Sequence, residues 1–138
     1  MTVHISRPAV GVSDLDHLKE VMAVRAQERQ GGIYITTRNV PKRVEELLDG
    51  GSIYWIIGGQ FRARQRALRV ERLEDDNGRG YCNIYLDSEV VVTQPYPRRA
   101  HQGWRYLDPA DAPPDLKEGD ADDLPPDMAA ELKDLGLL

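Results

Sequence analysis

The sequence has one cysteine and no long apolar run, and each shortage excludes a class of protein. Cys82 alone cannot form an intramolecular disulfide or a multi-cysteine metal site. The longest apolar stretch, IYWII at residues 53–57, is far shorter than the roughly 20 residues that a membrane helix needs. The first ten residues lack the charged start and apolar run of a secretory signal. We therefore expect a soluble cytoplasmic protein that does not associate with membranes.

The charges are unevenly distributed along the chain. With 138 residues, of which 41% are hydrophobic and 30% charged, the composition is that of one ordinary globular domain. Residues 108–138 carry ten acidic and two basic side chains, which leaves 16 basic and 13 acidic side chains in residues 1–107. The acidic part is also rich in proline. We predict a globular domain over residues 1–108 and an acidic tail over residues 109–138 that ends in a short helix.

Apolar periodicity and the positions of glycine and proline predict the order β-α-β-α-β-β-β-β, followed by the C-terminal helix. The first helix has Ser13 or Asp14 as its cap and a stop at Gly31-Gly32. A strand over residues 52–57 ends at Gly58-Gly59, which suits a two-residue hairpin turn. This order predicts a single α+β domain, in which two or three helices flank a mainly antiparallel sheet, curled or closed into a barrel.

The stretch QFRARQRALRVERL, residues 60–73, contains five arginines and fits two structures. As a strand, it would present an apolar face of Phe61, Ala63 and Ala67 and a basic face of Arg62, Arg64 and Arg66. The apolar phase slips after Ala67, which indicates a bulge or bend. As a helix, the stretch would align Ala63, Ala67 and Val70 on one side. The adjacent Gly-Gly turn favours the strand.

The segment RRAHQGWRY, residues 98–106, is the best candidate for a binding site. Arginines beside a histidine and two aromatic rings can hold an anionic or planar ligand. Alternatively, Trp104 and Tyr106 close one end of the core while the arginines stay in water. The candidate residues for binding a ligand or nucleic acid are Arg62, Arg64, Arg66, Arg98, Arg99, His101, Trp104, Arg105 and Tyr106. Further candidates for stacking on bases are Tyr54, Trp55 and Tyr96.

No catalytic or metal-binding constellation is recognisable in the sequence. The three histidines show no metal-ligand spacing, and no glycine-rich phosphate loop follows a predicted strand. Cys82 lies within a predicted strand, where we expect a small buried apolar residue rather than a nucleophile. We therefore expect no catalytic residue, no metal and no cofactor.

The motifs DGGSIYWIIGG, RRAHQGWRYLDPADAPPDL and LKDLGLL resemble a family of small uncharacterised alphaproteobacterial proteins, catalogued as a domain of unknown function. This resemblance extends over nearly the whole chain and implies no activity and no catalytic residue. The stretch RVEELLDGGSIYWIIGGQFRARQRALRVERL is also similar in layout to the PUA-like barrels, including the ASCH and EVE groups. Here Gly50-Gly51 replaces their usual Gly-Asp. The second resemblance implies a PUA-like β-barrel that binds RNA or modified bases.

Three functions are compatible with these features. The leading hypothesis is a non-enzymatic module that binds RNA or another phosphate-bearing ligand through the arginine-rich strand and the RRAHQGWRY segment. The second is a protein-interaction or assembly module, whose basic face binds an acidic protein or the acidic tail of a neighbouring copy of the chain. The third is a small-molecule enzyme with a pocket near His101, which ranks last because the sequence reveals no base–nucleophile pair.

Overall fold

A computed structural model describes residues 2–28 and 32–116 of the chain. In chain order, the described elements are β1 His4–Pro8, α1 Leu15–Glu28, β2 Ile33–Thr37, α2 Val44–Leu48, β3 Ser52–Ile57, β4 Gln60–Glu74, β5 Gly80–Leu86, β6 Val91–Pro97, β7 Arg105–Leu107 and a 3-10 turn at Pro109–Asp111. The predicted strand order is confirmed up to β6. The predicted C-terminal helix and the Gly31 end of the first helix lie outside the described residues.

The strands form one curled sheet in the order β2-β5-β4-β3-β1-β7, and β6 pairs with β4. The β1–β3 pair is parallel, while the other named pairs are antiparallel. Among the described strands the sheet does not close, so the predicted curled α+β domain is confirmed and these strands do not form the alternative, a closed PUA-like barrel. In the described part of the chain, the sheet ends at β2 and β7, and these strands do not pair with each other.

The long strand β4 organises the sheet because its 15 residues pair with three other strands. Its first half pairs with β3 and β6, and its second half pairs with β5. The preceding turn at Gly58 and Gly59 has φ values of 60° and 80°, the left-handed conformation that a tight hairpin requires. The strand predicted for residues 60–73 is therefore confirmed. The predicted bulge is also present, as a register shift between Ala67 and Arg69.

A second irregularity, at Arg62, changes which side chains of β4 share a face. Phe61 pairs with Ile56, whereas Ala63 pairs with the adjacent residue Trp55. Because neighbouring residues of a strand point to opposite faces, Phe61 and Ala63 also lie on opposite faces. The predicted single apolar face that includes Phe61 and Ala63 is therefore wrong.

The main core lies between α1 and one face of the sheet, which we call the inner face. The amide N–H of His17 donates to Oδ1 of Asp14 at 2.8 Å, so Asp14 caps α1 as predicted. Cys82 is buried in the core with its Sγ 3.0 Å from the hydroxyl of Thr37. This placement confirms the expected burial of the cysteine.

The opposite side of the central strands, the outer face, carries a smaller apolar cluster. Its buried members are Tyr54, Ile56, Phe61 and Leu107. The strand register also places a row of polar and aromatic side chains across this face, one from each of β7, β1, β3 and β4. The row consists of Arg105, Ser6, Tyr54 and Arg64. The outer face is therefore where the predicted site residues of β4 and β7 can meet.

Residues 114–116 lie against β6. The backbone N–H groups of Gln94 and Leu116 donate to the carbonyls of Pro114 and Val92 at 2.9 and 2.8 Å. These bonds hold the segment beside the sheet, so packed structure continues past residue 108, where the sequence predicted that the globular domain ends. The remaining part of the predicted acidic tail lies outside the described residues.

Candidate functional site

The three arginines predicted to form a basic face on β4 lie in three different environments. Arg62, at the irregularity, is only 8% exposed. On the outer face, Nε and Nη2 of Arg64 donate to the two carboxylate oxygens of Asp115 at 2.7 and 2.8 Å. Arg66 is exposed. The predicted set of three exposed guanidinium groups on one face is therefore wrong, because Arg62 is buried at the bulge and an internal carboxylate holds Arg64.

The fork to Asp115 uses two of the five N–H donors of the Arg64 guanidinium. Nη1 of Arg64 also donates to Oγ of Ser52 at 3.1 Å. The hydrogen bonds to Asp115 raise the pKa of Arg64 above its ordinary value, so the group stays charged. An external phosphate must displace Asp115 before it can bind Nε and Nη2 of Arg64 in the same fork.

Trp104 and Tyr106 are held by internal contacts. Nε1 of Trp104 donates to the carbonyl of Asn39 at 3.0 Å, and the hydroxyl of Tyr106 accepts from the backbone N–H groups of Lys42 and Arg43 at 2.8 and 3.0 Å. The two rings meet edge to face at 5.0 Å and pack against the main core. This geometry favours the alternative in which both rings close the core, because it fixes β7 to the segment before α2.

His101 lies over the outer face between two arginines. Its Nε2 is 3.0 Å from Oγ of Ser6, which the pairing of β1 with β7 brings beside Arg105. Burial lowers the pKa of His101, and the positive charges of Arg105 and Arg98 act in the same direction. His101 is therefore mostly neutral at pH 7, although it sits among cationic side chains.

Arg98 is a further positively charged side chain of the outer face, on the side of the Gly58-Gly59 turn. Its guanidinium carbon lies 5.5 Å from the ring centre of Phe61 on the outer face. Tyr96 pairs with Phe61, so its ring is on the same face, and it is 41% exposed. We call Arg98, His101 and Arg105 the outer-face cluster. In the described part of the chain, no carboxylate forms an ion pair with Arg98 or Arg105, and both are exposed.

Sequence reasoning missed Ser6 and His4 as members of the outer face. Nδ1 of His4 accepts from the backbone N–H of Ser52 at 3.0 Å, and its ring meets Tyr54 edge to face at 4.9 Å. Burial lowers the pKa of His4, and the charge of Arg64 lowers it further. No local sequence signal marks these residues, because their role depends on strands far apart in the chain.

The contact between Ser6 and His101 has the distance of a nucleophile–base pair, but its surroundings do not suit catalysis. Ser6 is fully buried beneath the segment that carries His101, so a substrate carbonyl has no access to its hydroxyl. The charges that act on the imidazole come from arginines rather than from an orienting carboxylate. The described residues also contain no group of three metal-ligating side chains. No described helix is long and apolar enough to cross a membrane.

Comparison with known proteins places the chain in a family without adding an activity. A family model described as a protein of unknown function (DUF1489) matches residues 5–138. No curated protein and no solved structure matches the chain. The predicted resemblance to an uncharacterised family is thus confirmed, while its alphaproteobacterial origin and the PUA-like resemblance stay predictions. Because the match spans nearly all of the sequence, the chain belongs to this family of unknown function.

Proposed function

We propose that the protein is a non-enzymatic binding module that recognises the phosphates of single-stranded RNA through the outer-face cluster. One observation carries this proposal: Arg98 and Arg105 are exposed, and no described carboxylate pairs with them. A guanidinium can bridge two oxygens of one phosphate in a fork. The exposed ring of Tyr96 offers a surface on which a base can stack.

The proposed interface differs from the predicted one in its β4 residues. Arg62 is buried and Arg64 is held by Asp115, so neither contributes a phosphate contact. Arg66 remains exposed and can extend the interface along the outer face. Trp104 and Tyr106 contribute by holding β7, and with it Arg105, in place. Each phosphate contact is expected to lower the slope of log affinity against log salt by about 0.7 for a single strand.

His101 gives the proposed interface a dependence on pH. A phosphate beside the imidazole favours its protonated form and therefore raises its pKa. By linkage, protonation strengthens binding, so affinity increases as the pH falls below the ordinary histidine range. In the His101→Gln variant this increase is expected to disappear, while binding at pH 7.5, where His101 is neutral, changes little.

Fluorescence anisotropy with a mixed-sequence single-stranded RNA, over a series of salt concentrations, tests the proposal. In the double variant Arg98→Gln/Arg105→Gln, we expect at least tenfold weaker binding and a salt slope that is shallower by about 1.4, for two lost contacts. The matched control is Arg72→Gln/Arg79→Gln, which removes two exposed arginines from the hairpin of β4 and β5. Equal losses in both variants, or no binding by the wild type at low salt, would refute the proposed interface.

A second candidate function is recognition of an acidic protein segment, and the contact between Arg64 and Asp115 favours it. Residues 114–116 lie beside β6 with backbone hydrogen bonds, while Asp115 occupies Arg64 through a fork. An acidic segment of another chain can make the same contacts by strand addition. Light scattering with size-exclusion chromatography of wild type and Arg64→Gln tests this candidate. A concentration-dependent dimer that the variant lacks supports assembly, and a monomer in both rules out self-assembly.

A further inference from the structure

A second concentration of positive charge lies on the inner face, remote from the outer-face cluster. Arg7 is in β1 and pairs with Trp55 of β3, so its side chain points to the inner face beneath α1. Arg25 belongs to the last turn of α1. Both residues line one cavity of about 330 Å³ between α1 and the loop that joins β1 to α1.

Neither guanidinium has an anionic partner among the described side chains. Nη1 of Arg7 is buried and makes no hydrogen bond to any described residue. Burial lowers the pKa of Arg7, and the charge of Arg25 lowers it further, because the two like charges repel. A buried cationic nitrogen without an acceptor destabilises the fold unless another group supplies one. An anion between Arg7 and Arg25 would supply the missing acceptor to Nη1 of Arg7 and offset the repulsion between the two positive charges.

The remaining walls of the cavity suit an apolar body attached to such an anion. Trp55, Met22 and Leu18 contribute apolar surface from the core. Gly11, with φ of 79°, turns the loop over the cavity. Next to it, Val10 lines the same cavity although it is 89% exposed, which places an apolar side chain at the opening. An isolated, nearly fully exposed valine is available to cover a ligand.

We infer that this cavity binds a small organic anion, with a carboxylate or phosphate held by Arg7 and Arg25 and an apolar body against Trp55. The volume of about 330 Å³ lies at the lower end of the range of small-molecule sites, roughly 300–1,000 Å³. The planar fork of arginine is complementary to both oxyanions. The site goes beyond the proposed RNA interface and does not depend on it, because Arg7 and Ser6 point to opposite faces of β1.

Isothermal titration calorimetry of the full chain tests the inference with four probes: inorganic phosphate, phenyl phosphate, benzoate and benzyl alcohol. We expect one binding site for an aromatic oxyanion, at least tenfold tighter than for inorganic phosphate because the ring buries apolar surface. Benzyl alcohol has the ring without the charge and should not bind. Preference for phenyl phosphate or for benzoate identifies the natural ligand as a phosphate ester or a carboxylic acid. Saturation by neither aromatic oxyanion overturns the inference.

Two variants locate the binding. Arg7→Met keeps an unbranched, flexible stem and removes the guanidinium, so it should abolish binding and, without ligand, melt at a higher temperature than the wild type. Arg25→Gln should weaken binding about tenfold. The control Arg79→Gln changes an exposed arginine of the β4–β5 hairpin, outside both the cavity and the proposed RNA interface, and should leave the affinity unchanged.

A spectroscopic readout keeps the test independent of whether Arg7→Met folds. The two indole N–H resonances are assigned with the variant Trp104→Phe, and benzoate or phenyl phosphate should shift the resonance of Trp55. Affinity unchanged in Arg25→Gln, or an unperturbed Trp55 resonance at saturation, would place the ligand elsewhere and overturn the inference. Loss of RNA binding in Arg98→Gln/Arg105→Gln has no bearing on this result, so the two proposals fail separately.

Discussion

Single residues decide how much of the positive charge on the outer face is available to a partner. Arg64 and Asp115 are partly exposed, at 24% and 41% of their side-chain surface, so water screens much of their attraction. Their fork geometry nevertheless places two short hydrogen bonds between the sheet and the segment that follows β7. The pair therefore contributes more to the position of that segment than to the overall free energy of folding.

Replacing Asp115 by asparagine tests this pair. We expect Asp115→Asn to lower the free energy of unfolding by about 0.5–1 kcal/mol, which urea denaturation measures. The same variant frees Arg64 and should increase affinity for single-stranded RNA, because one more guanidinium becomes available. Asp111→Asn removes an equal charge from an exposed position in the same segment and serves as control. Identical RNA affinities in the two variants would show that Arg64 is not part of the interface.

The two histidines of the outer face make stability depend on pH. Burial, followed by neighbouring arginine charges, lowers the pKa of His4 and His101 below the ordinary value of 6.5. As the pH falls, the unfolded state takes up protons first, so the free energy of unfolding decreases from about pH 6.5 down to the folded pKa values. Urea midpoints at closely spaced pH values measure this decrease, which should be smaller in His4→Gln/His101→Gln. An unchanged decrease in the double variant would assign the effect to other groups.

At the scale of secondary structure, the sequence alone was sufficient to predict a turn or a helix end wherever a single local signal determines it. The Gly58-Gly59 turn and Asp14 as a cap were both confirmed. The three-residue strand β7 was missed because the strand with which it pairs, β1, lies about a hundred residues earlier in the chain. The irregularity at Arg62 was also missed, since it depends on the registers of β3 and β6 together.

The junction between α2 and β3 offers a test of element packing. A Cβ at Gly51 would overlap the backbone carbonyl oxygens of Leu47 and Val3, so no side chain fits unless α2 separates from the chain at the start of β1. We expect Gly51→Ala to lower the free energy of unfolding by about 3 kcal/mol, as a severe case of overpacking. Gly80→Ala has no atom within 4 Å of its new Cβ and should cost much less. Similar urea midpoints for both variants would contradict the described junction.

At the scale of the whole molecule, composition predicted a basic body and an acidic end, but not which arginines face a partner. Arg98, His101 and Arg105 were singled out because they are adjacent in sequence, and the structure brings them together over one face. Arg7 and Arg25 carry no motif, and their shared cavity exists only because α1 packs over β1. The charge counts therefore predicted an anionic ligand or partner. Which arginines such a partner can reach was determined by bulges and strand pairing.

The acidic end of the chain should compete with RNA for the outer-face cluster. Residues 117–138 carry seven acidic and two basic side chains. Asp115, just before them, forms an ion pair with Arg64. We predict that the full-length variant Glu118→Gln/Asp120→Asn/Asp122→Asn/Asp123→Asn binds single-stranded RNA more tightly than the wild type at low salt. The difference should disappear towards 1 M salt, where the Debye length is about 3 Å. Anisotropy titrations at several salt concentrations measure both effects.

A matched variant separates competition by the tail from a general change in net charge. Asp16→Asn/Glu20→Gln/Glu74→Gln/Asp76→Asn removes the same four charges from exposed positions on α1 and on the β4–β5 hairpin. If net charge alone governs binding, both variants gain equally, since long-range attraction depends on the summed field. If the tail occupies the outer-face cluster, the tail variant gains more, and adding Arg98→Gln/Arg105→Gln removes most of its advantage. Equal gains would leave the tail without a competitive role and assign the effect to net charge alone.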